Sequence, residues 1–313
     1  MQRSVAGSPG RRLEEAPITR LIGNTPLLPL NAKTWGLERV TLQAKAEWFN
    51  PGGSVKDRPA LWMLRAALKA GVYRDGMSLL DATSGNMGIS LAMLGAALGV
   101  PTKLVIPSNM SQTRQNILRS FGSTLVLSDP LAGTDGAQRV ARRIQAEDPE
   151  AYLYVDQYNN PANWTAHYES TGPEILDQTD GRVTHFVAGV GTGGTLVGTG
   201  RRLKEDDTTT QIIGFQPAEP LHGIEGLKHM ETSVQPGIFD PSIQDRALFV
   251  ETEEAQRYAR LLAEREGLLV GTSSGAALAA ALQVAEGLHE GTIVTVFPDA
   301  GERYLSERYW EEG

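Results

Sequence analysis

From Val40 onward, short runs of leucine and β-branched side chains alternate with stretches that carry an apolar stripe at helical spacing. This alternation restricts the fold more than any other feature. Strands that follow one another in the same direction need a long crossover, and a helix packed back on the sheet supplies it. The runs at 40–45, 78–81, 103–106, 124–127, 152–155, 184–188, 211–215 and 292–297 read as strands. The stretches at 56–69, 86–98, 111–121, 133–147, 195–205, 252–266 and 274–286 read as helices. In the first of them Ala60, Leu61, Leu64, Ala67 and Leu68 form one face, and Gly71 stops it. The pattern predicts an α/β fold of parallel sheets with helices on both faces. Residues 1–16 read as a flexible arm. Residues 216–246 read as a long irregular segment, and irregular segments of that length are usually functional.

Size and charge narrow the class of protein. At 313 residues the chain is long enough for two domains or one large α/β unit. With 41% apolar and 21% charged residues it is neither disordered nor collagen-like. A net charge of −8 argues against a nucleic-acid binder, which needs a basic footprint. No cysteine is present, so disulfides, thiolate metal sites and a cysteine nucleophile are excluded. The histidines His167, His185, His222, His229 and His289 have no zinc-like i, i+4 spacing, and no metal site is expected. The polar N-terminus lacks the apolar core of a signal peptide. The longest apolar stretch, 89–100, is interrupted by Ser90, Gly95 and Gly99. It falls short of the roughly 18 residues a membrane span needs. A cytoplasmic protein that does not touch membranes is the expectation.

In open α/β sheets ligands bind beyond the carboxyl ends of the strands, so polar and glycine-rich junctions are the places to look. The first junction is Asn50-Pro51-Gly52-Gly53-Ser54-Val55-Lys56. Lys56 opens a helix, where the positive end of the dipole depresses an amine pKa and favours a nucleophilic lysine. The plain alternative is a solvated surface lysine. The second junction, Thr83-Ser84-Gly85-Asn86-Met87-Gly88, gathers hydroxyls, an amide and backbone N–H groups at a helix start, as a carboxylate or phosphate site requires. Ordinary N-capping by Thr83 or Ser84 is its alternative. The third, Gly189-Val190-Gly191-Thr192-Gly193-Gly194-Thr195, lets main-chain N–H groups approach a phosphate. It also matches the G-x-G-x-x-G dinucleotide pattern, with Glu219 after the next strand, so alone it does not separate a dinucleotide from a monophosphate. The fourth, Gly271-Thr272-Ser273-Ser274-Gly275, opens an alanine-rich helix and reads equally as a cap.

These segments, in this order and in register from Ile22-Gly23-Asn24-Thr25-Pro26-Leu27 to Gly301-Glu302-Arg303-Tyr304-Leu305-Ser306, resemble the cysteine synthase / cystathionine β-synthase group of fold-type II pyridoxal-phosphate enzymes. Asn109-Met110-Ser111-Gln112, the Gln157 segment and Gly237-Ile238-Phe239 look more like the B-type cysteine synthases. The resemblance implies a tryptophan synthase β-like architecture with pyridoxal 5′-phosphate as cofactor. Residues 48–150 would form a smaller mobile domain carrying the substrate loop, and 17–47 plus 151–310 a larger cofactor-binding domain. Lys56 would be the Schiff-base lysine and Asn86 would hold the cofactor's 3′-oxygen. Gly191, Thr192, Gly193, Gly194 and Thr195 would cradle the phosphate, and Ser273 would meet the pyridine nitrogen. Thr83, Ser84, Gly85 and Gln157 would hold the substrate carboxylate, and Lys228 would face the mouth of the site for an anionic donor.

The implied activity is β-replacement: L-cysteine from O-acetyl-L-serine and sulfide, with thiosulfate as a second donor, by a cytoplasmic homodimer acting on small molecules. O-phosphoserine sulfhydrylase and a cystathionine β-synthase-like enzyme are the in-class alternatives, and a dinucleotide-dependent oxidoreductase the alternative from another class. Two positions depart from the family. Met87 stands where a threonine is usual, which implies a lost hydroxyl contact to the substrate carboxylate. Pro298 stands where relatives carry cysteine or serine, which implies a less polar pocket floor.

Overall fold

The structure is a computed structural model and describes residues 13–83 and 85–311. Its strands are β1 (Leu27–Pro29), β2 (Val40–Ala46), β3 (Ser78–Ala82), β4 (Thr102–Pro107), β5 (Thr124–Ser128), β6 (Tyr152–Tyr154), β7 (His185–Gly189), β8 (Gln211–Pro217), β9 (Arg246–Val250) and β10 (Gly291–Phe297). The helices are α1 (Asp57–Lys69), α2 (Asn86–Leu98), α3 (Gln112–Ser120), α4 (Gly133–Glu147), α5 (Ala162–Ala166), α6 (Gly172–Thr179), α7 (Gly194–Asp206), α8 (Thr252–Glu266) and α9 (Thr272–Ala285). Contacts divide the chain into two compact units. One joins the chain up to Ile22 with Lys56–Asn163, and the other joins Gly23–Val55 with the chain from Trp164 onward. These limits fall at Val55/Lys56 and Asn163/Trp164 rather than at 47/48 and 150/151.

The first unit holds a four-stranded sheet in the order β5-β4-β3-β6, parallel throughout. Its layering follows from the two-residue period of a strand. Leu79 and Leu104 face α1 and α2, in a cluster with Leu61, Leu64, Leu91 and Leu94. Leu80, Ala82 and Val105 face the other way, against Ala137 and Ala141 of α4. The expected flexible arm is corrected here: Leu13 and Ala16 are buried in the α1–α2 cluster. Earlier residues of that arm lie outside the described residues.

The second unit holds a six-stranded sheet in the order β1-β2-β10-β7-β8-β9. All its pairings are parallel, as expected, except that the short edge strand β1 runs antiparallel to β2. Val187, Ile213 and Phe215 pack on α8 and α9, while Phe186, Ala188 and Ile212 pack on α6 and α7. Strand β9 lies at the sheet edge, and only its Leu248 and Val250 are buried, so it carries too few apolar positions to stand out in sequence. The helical run from α5 to α6 contains a π-helical turn at His167–Thr171. Among the described residues no helix is long and apolar enough to cross a membrane.

One buried ion pair fixes the start of this unit. Lys45 is fully buried; its Nζ lies 2.6 Å from Glu174 and donates to the Thr25 carbonyl at 2.6 Å and to Gln178 Oε1 at 2.9 Å. Removing one partner of such a pair strands the other charge away from water. Lys45→Ala is therefore expected to lower unfolding stability by about 3–5 kcal/mol, measured by urea unfolding of the whole chain.

Candidate active site

In the first unit the functional junctions gather at the carboxyl ends of β3 and β6. Lys56 is half-buried in helical conformation at the head of α1, and its carbonyl accepts the Ala60 N–H at 3.0 Å. Asp57 follows in the first turn, where the helix dipole favours a carboxylate. Ser90 Oγ donates to Asp57 Oδ1 at 2.5 Å and lies 3.1 Å from the Asn86 carbonyl. That hydroxyl ties the head of α1 to the head of α2, so Lys56 and Asn86 open neighbouring helices.

Between β3 and α2, Thr83 Oγ1 accepts the N–H groups of Gly85 at 3.1 Å and Gly88 at 3.2 Å. The threonine thus caps the helix, and capping and ligand binding draw on the same residues. Ser84 lies outside the described residues. Gln157 is buried at the end of β6 and donates from Nε2 to the Ala82 carbonyl at 3.1 Å, beside Thr83. Asn163 Nδ2 donates to the Gln157 carbonyl at 2.7 Å and holds that turn. Strand pairing and helix packing therefore bring Lys56, Thr83, Gly85, Asn86 and Gln157 together.

Met87, where relatives carry threonine, is a core residue. Its side chain is 2% exposed and packs in the apolar cluster with Leu61, Met63 and Leu91. Position 87 faces the core, because it follows the start of α2 on the helix's inner side.

The second unit holds the glycine-rich junction between β7 and α7. A Cβ on Gly191 would sit 2.1 Å from the Gly226 carbonyl oxygen. Gly193 has φ +86, and a Cβ there would meet Phe239 at 2.8 Å. Only glycine lets these segments approach. The first-turn N–H groups of α7 have no carbonyl in their own helix, and the positive end of its dipole suits an anion. Thr192 Oγ1 accepts the Gly194 N–H at 3.3 Å. Thr195 Oγ1 lies 3.3 Å from Nε2 of buried His167, whose Nδ1 is 2.9 Å from Thr171 Oγ1. Sequence reasoning missed His167: it lies far from the loop in the chain, and only the π turn signals it.

Lys228 is half-buried. Its N–H donates to the Val190 carbonyl at 3.0 Å and its Nζ to the Val234 carbonyl at 3.4 Å, so it lies beside the glycine-rich loop. On the same segment, burial and nearby His229 hold His222 below the ordinary histidine pKa, so His222 is neutral at neutral pH.

Ser273 lies in the first turn of α9 and is 6% exposed. A crossing segment from Pro298 to Ala300 fixes that turn. The Asp299 carbonyl accepts the Gly271 N–H at 3.2 Å, and the Pro298 carbonyl accepts the Val55 N–H at 2.8 Å. Asp299 also bridges to Ser54, and its Oδ2 accepts the Tyr304 hydroxyl at 2.5 Å. The residue before Lys56 and the residue two before Ser273 are thus held by one short segment. Pro298 contributes its carbonyl to that segment, which a cysteine or serine would do equally. Among the described residues no group of three His, Cys, Asp or Glu could hold a metal ion.

A glycine-only cradle at a helix N-terminus fits a phosphate, and a lysine at the head of another helix fits an amine that meets a carbonyl carbon. The α/β fold and the glycine cradle fit the class of enzymes that bind a phosphate-bearing cofactor. The pyridoxal-phosphate dependent enzyme family matches residues 18–299. The cysteine synthase of Aquifex aeolicus is 56% identical over 308 residues, covering 95% of this chain and 93% of that protein. Cysteine synthase B of Escherichia coli is 42% identical over 296 residues, covering 92% and 94%. The crystal structure of a cysteine synthase from Entamoeba histolytica superposes with a TM-score of 0.90 at 34% identity, covering 99% of this chain and 94% of that one. The chain belongs to the pyridoxal-phosphate dependent enzymes, and pyridoxal phosphate is its cofactor. That match sets aside the dinucleotide reading of the Gly189–Gly194 pattern.

The burial of Met87 generates a test. Met87→Thr would leave a cavity and turn a hydroxyl into an apolar cluster, so it is expected to cost about 2–4 kcal/mol. Chemical unfolding of the holoenzyme measures it.

Proposed function

We propose that the protein is a B-type cysteine synthase, making L-cysteine from O-acetyl-L-serine and sulfide, with thiosulfate as a second donor that yields S-sulfocysteine. The observation that carries this reading is the hydroxyl of Ser90, which joins the head of the Lys56 helix to the head of the Asn86 helix. Lys56 and Asn86 therefore open neighbouring helices, which supports a reading in which the lysine amine works beside a carboxylate site. The relatives named cysteine synthase support the same reading.

In this reading Gly191, Thr192, Gly193, Gly194 and Thr195 bind the cofactor phosphate through first-turn N–H groups and hydroxyls. Asn86 holds the 3′-oxygen, and Ser273 meets the ring nitrogen with a hydroxyl rather than an anion. The cofactor supplies an electron sink for charge developing at the substrate α-carbon. Thr83, Ser84, Gly85 and Gln157 hold the amino-acid carboxylate, with the Thr83 hydroxyl giving up part of its capping role. Lys56 Nζ takes the α-proton as acetate leaves the β-carbon, and returns it once sulfur has added there. The smaller domain closes on substrate and excludes water from the reactive β-carbon. A cytoplasmic homodimer acting on small molecules completes the proposal.

Two experiments test it. Borohydride reduction followed by peptide mapping is expected to place the cofactor on Lys56, and Lys56→Ala is expected to lower kcat by about a hundredfold or more. An adduct on another lysine would overturn the assignment. For the donor, Lys228→Ala is expected to raise the KM for thiosulfate by about tenfold and that for sulfide by less than about twofold, since a lysine meets a dianion as a point charge. Equal effects on both donors would remove Lys228 from the site.

A further inference from the structure

The structure points to one more residue behind the carboxylate-binding segments. We infer that Asp81 is a positioning residue that clips the Gln157 turn to the end of β3, and that it works as a neutral carboxylic acid. No negative charge then lies beneath a bound amino-acid carboxylate. The inference rests on the substrate reading proposed above and extends it to a residue outside the binding motif.

Asp81 stands in β3, between β4 and β6, and its side chain is fully buried. Its Oδ1 accepts the Ala82 N–H at 2.9 Å. The Gln157 main chain acts on the carboxyl only weakly, holding its pKa down against the effect of burial. In return, the Gln157 side chain donates to the Ala82 carbonyl at 3.1 Å. Asp81 thus holds the Ala82 N–H while the Ala82 carbonyl holds the Gln157 side chain, so the carboxyl acts on the turn through Ala82. Thr83, the next residue, caps α2. Both segments assigned to the substrate carboxylate meet at Asp81–Ala82. The turn needs such a grip, because Asp156 is held at φ 49, in the left-handed region that side chains avoid.

The surroundings decide the charge. Asp81 Oδ2 is buried and has no hydrogen-bond partner among the described residues. An ionised carboxylate would leave that oxygen unsatisfied away from water. The groups that act on it are themselves acidic or neutral. Asp156 raises its pKa, and Asp81 in turn raises the phenols of Tyr154 on β6 and Tyr158 on the turn. Asp135 of α4 acts on Tyr158, and Arg142 of α4 acts on Tyr154. Among the described residues the charged group that acts on Asp81 is Asp156. Burial, the largest cause, pushes its pKa well above the usual carboxylate range.

A raised folded pKa has a definite sign in stability. Wild-type protein loses stability as pH rises from the ordinary aspartate value of 3.8 toward the raised value of Asp81. An asparagine cannot ionise and shows no such loss.

The experiment compares Asp81→Ala and Asp81→Asn holoenzymes with the wild type. In Asp81→Ala the KM for O-acetylserine is expected to rise about tenfold with kcat within about twofold, the loss of one buried hydrogen-bonding group. Asp81→Asn keeps the acceptor oxygen and is expected to recover most of that affinity. The thermal midpoint of Asp81→Asn relative to wild type is expected to grow as pH rises above 3.8. Infrared difference spectra at neutral pH should show a protonated carboxyl band in wild type that Asp81→Asn lacks. An unchanged KM in Asp81→Ala, or an Asp81→Asn variant as impaired as the alanine, would overturn the inference. So would the absence of the protonated band. If Asp81→Ala does not fold, the asparagine and infrared arms still decide. Wild type without turnover of O-acetylserine would count against the proposed substrate, while the midpoint and infrared arms would still report on Asp81.

Discussion

A parallel sheet delivers every following helix to the same edge, with its N-terminal N–H groups facing away from the strand it leaves. The candidate site depends on that constraint. In the first unit β3 feeds α2 at Thr83–Asn86, and in the second β7 feeds α7 at Gly189–Thr195. Each junction presents the positive end of a helix dipole to an anion. The fold therefore makes anion sites at a fixed place, and the side chains decide which anion each takes.

Close approach then refines those sites. At Gly191 the neighbouring carbonyl of Gly226 occupies the place of any Cβ, and the glycine-rich loop is held against the segment that carries Lys228. At the other junctions the tie is a hydroxyl or a carbonyl: Ser90 between two helix heads, and Pro298–Asp299 between Val55 and Gly271. The first tie ends on the Asp57 carboxyl beside Lys56, and the second runs through main-chain carbonyls.

The strand–helix alternation was legible because apolar period and glycine stops are local. Helices α2, α4 and α8 begin and end where those signals lie. The short edge strands β1 and β9 were not legible, since each has one neighbour and few buried positions. Leu13 and Ala16 looked like part of a polar arm, and only the groove between α1 and α2 shows why they are apolar. The motif residues Lys56, Asn86, Gly191 and Ser273 were legible for the same reason the helices were, because each stands at a junction between a strand or loop and a helix.

The orientation of side chains around those junctions was not legible. Met87 reads as part of the substrate loop, yet it packs in the core, because its direction depends on how α2 lies on α1. His167 and Asp81 carry no motif. The first meets Thr195 only through the packing of the helical run around it against α7, and the second meets the Gln157 turn only through the pairing of β3 with β6. By itself the sequence determined the alternation of elements and the glycine and lysine junctions, since these rest on local period and backbone freedom, and the resemblance of its motifs to a known family implied the cofactor. The tertiary structure alone decided which groups face one another across strands and helices, because such contacts join residues far apart in the chain.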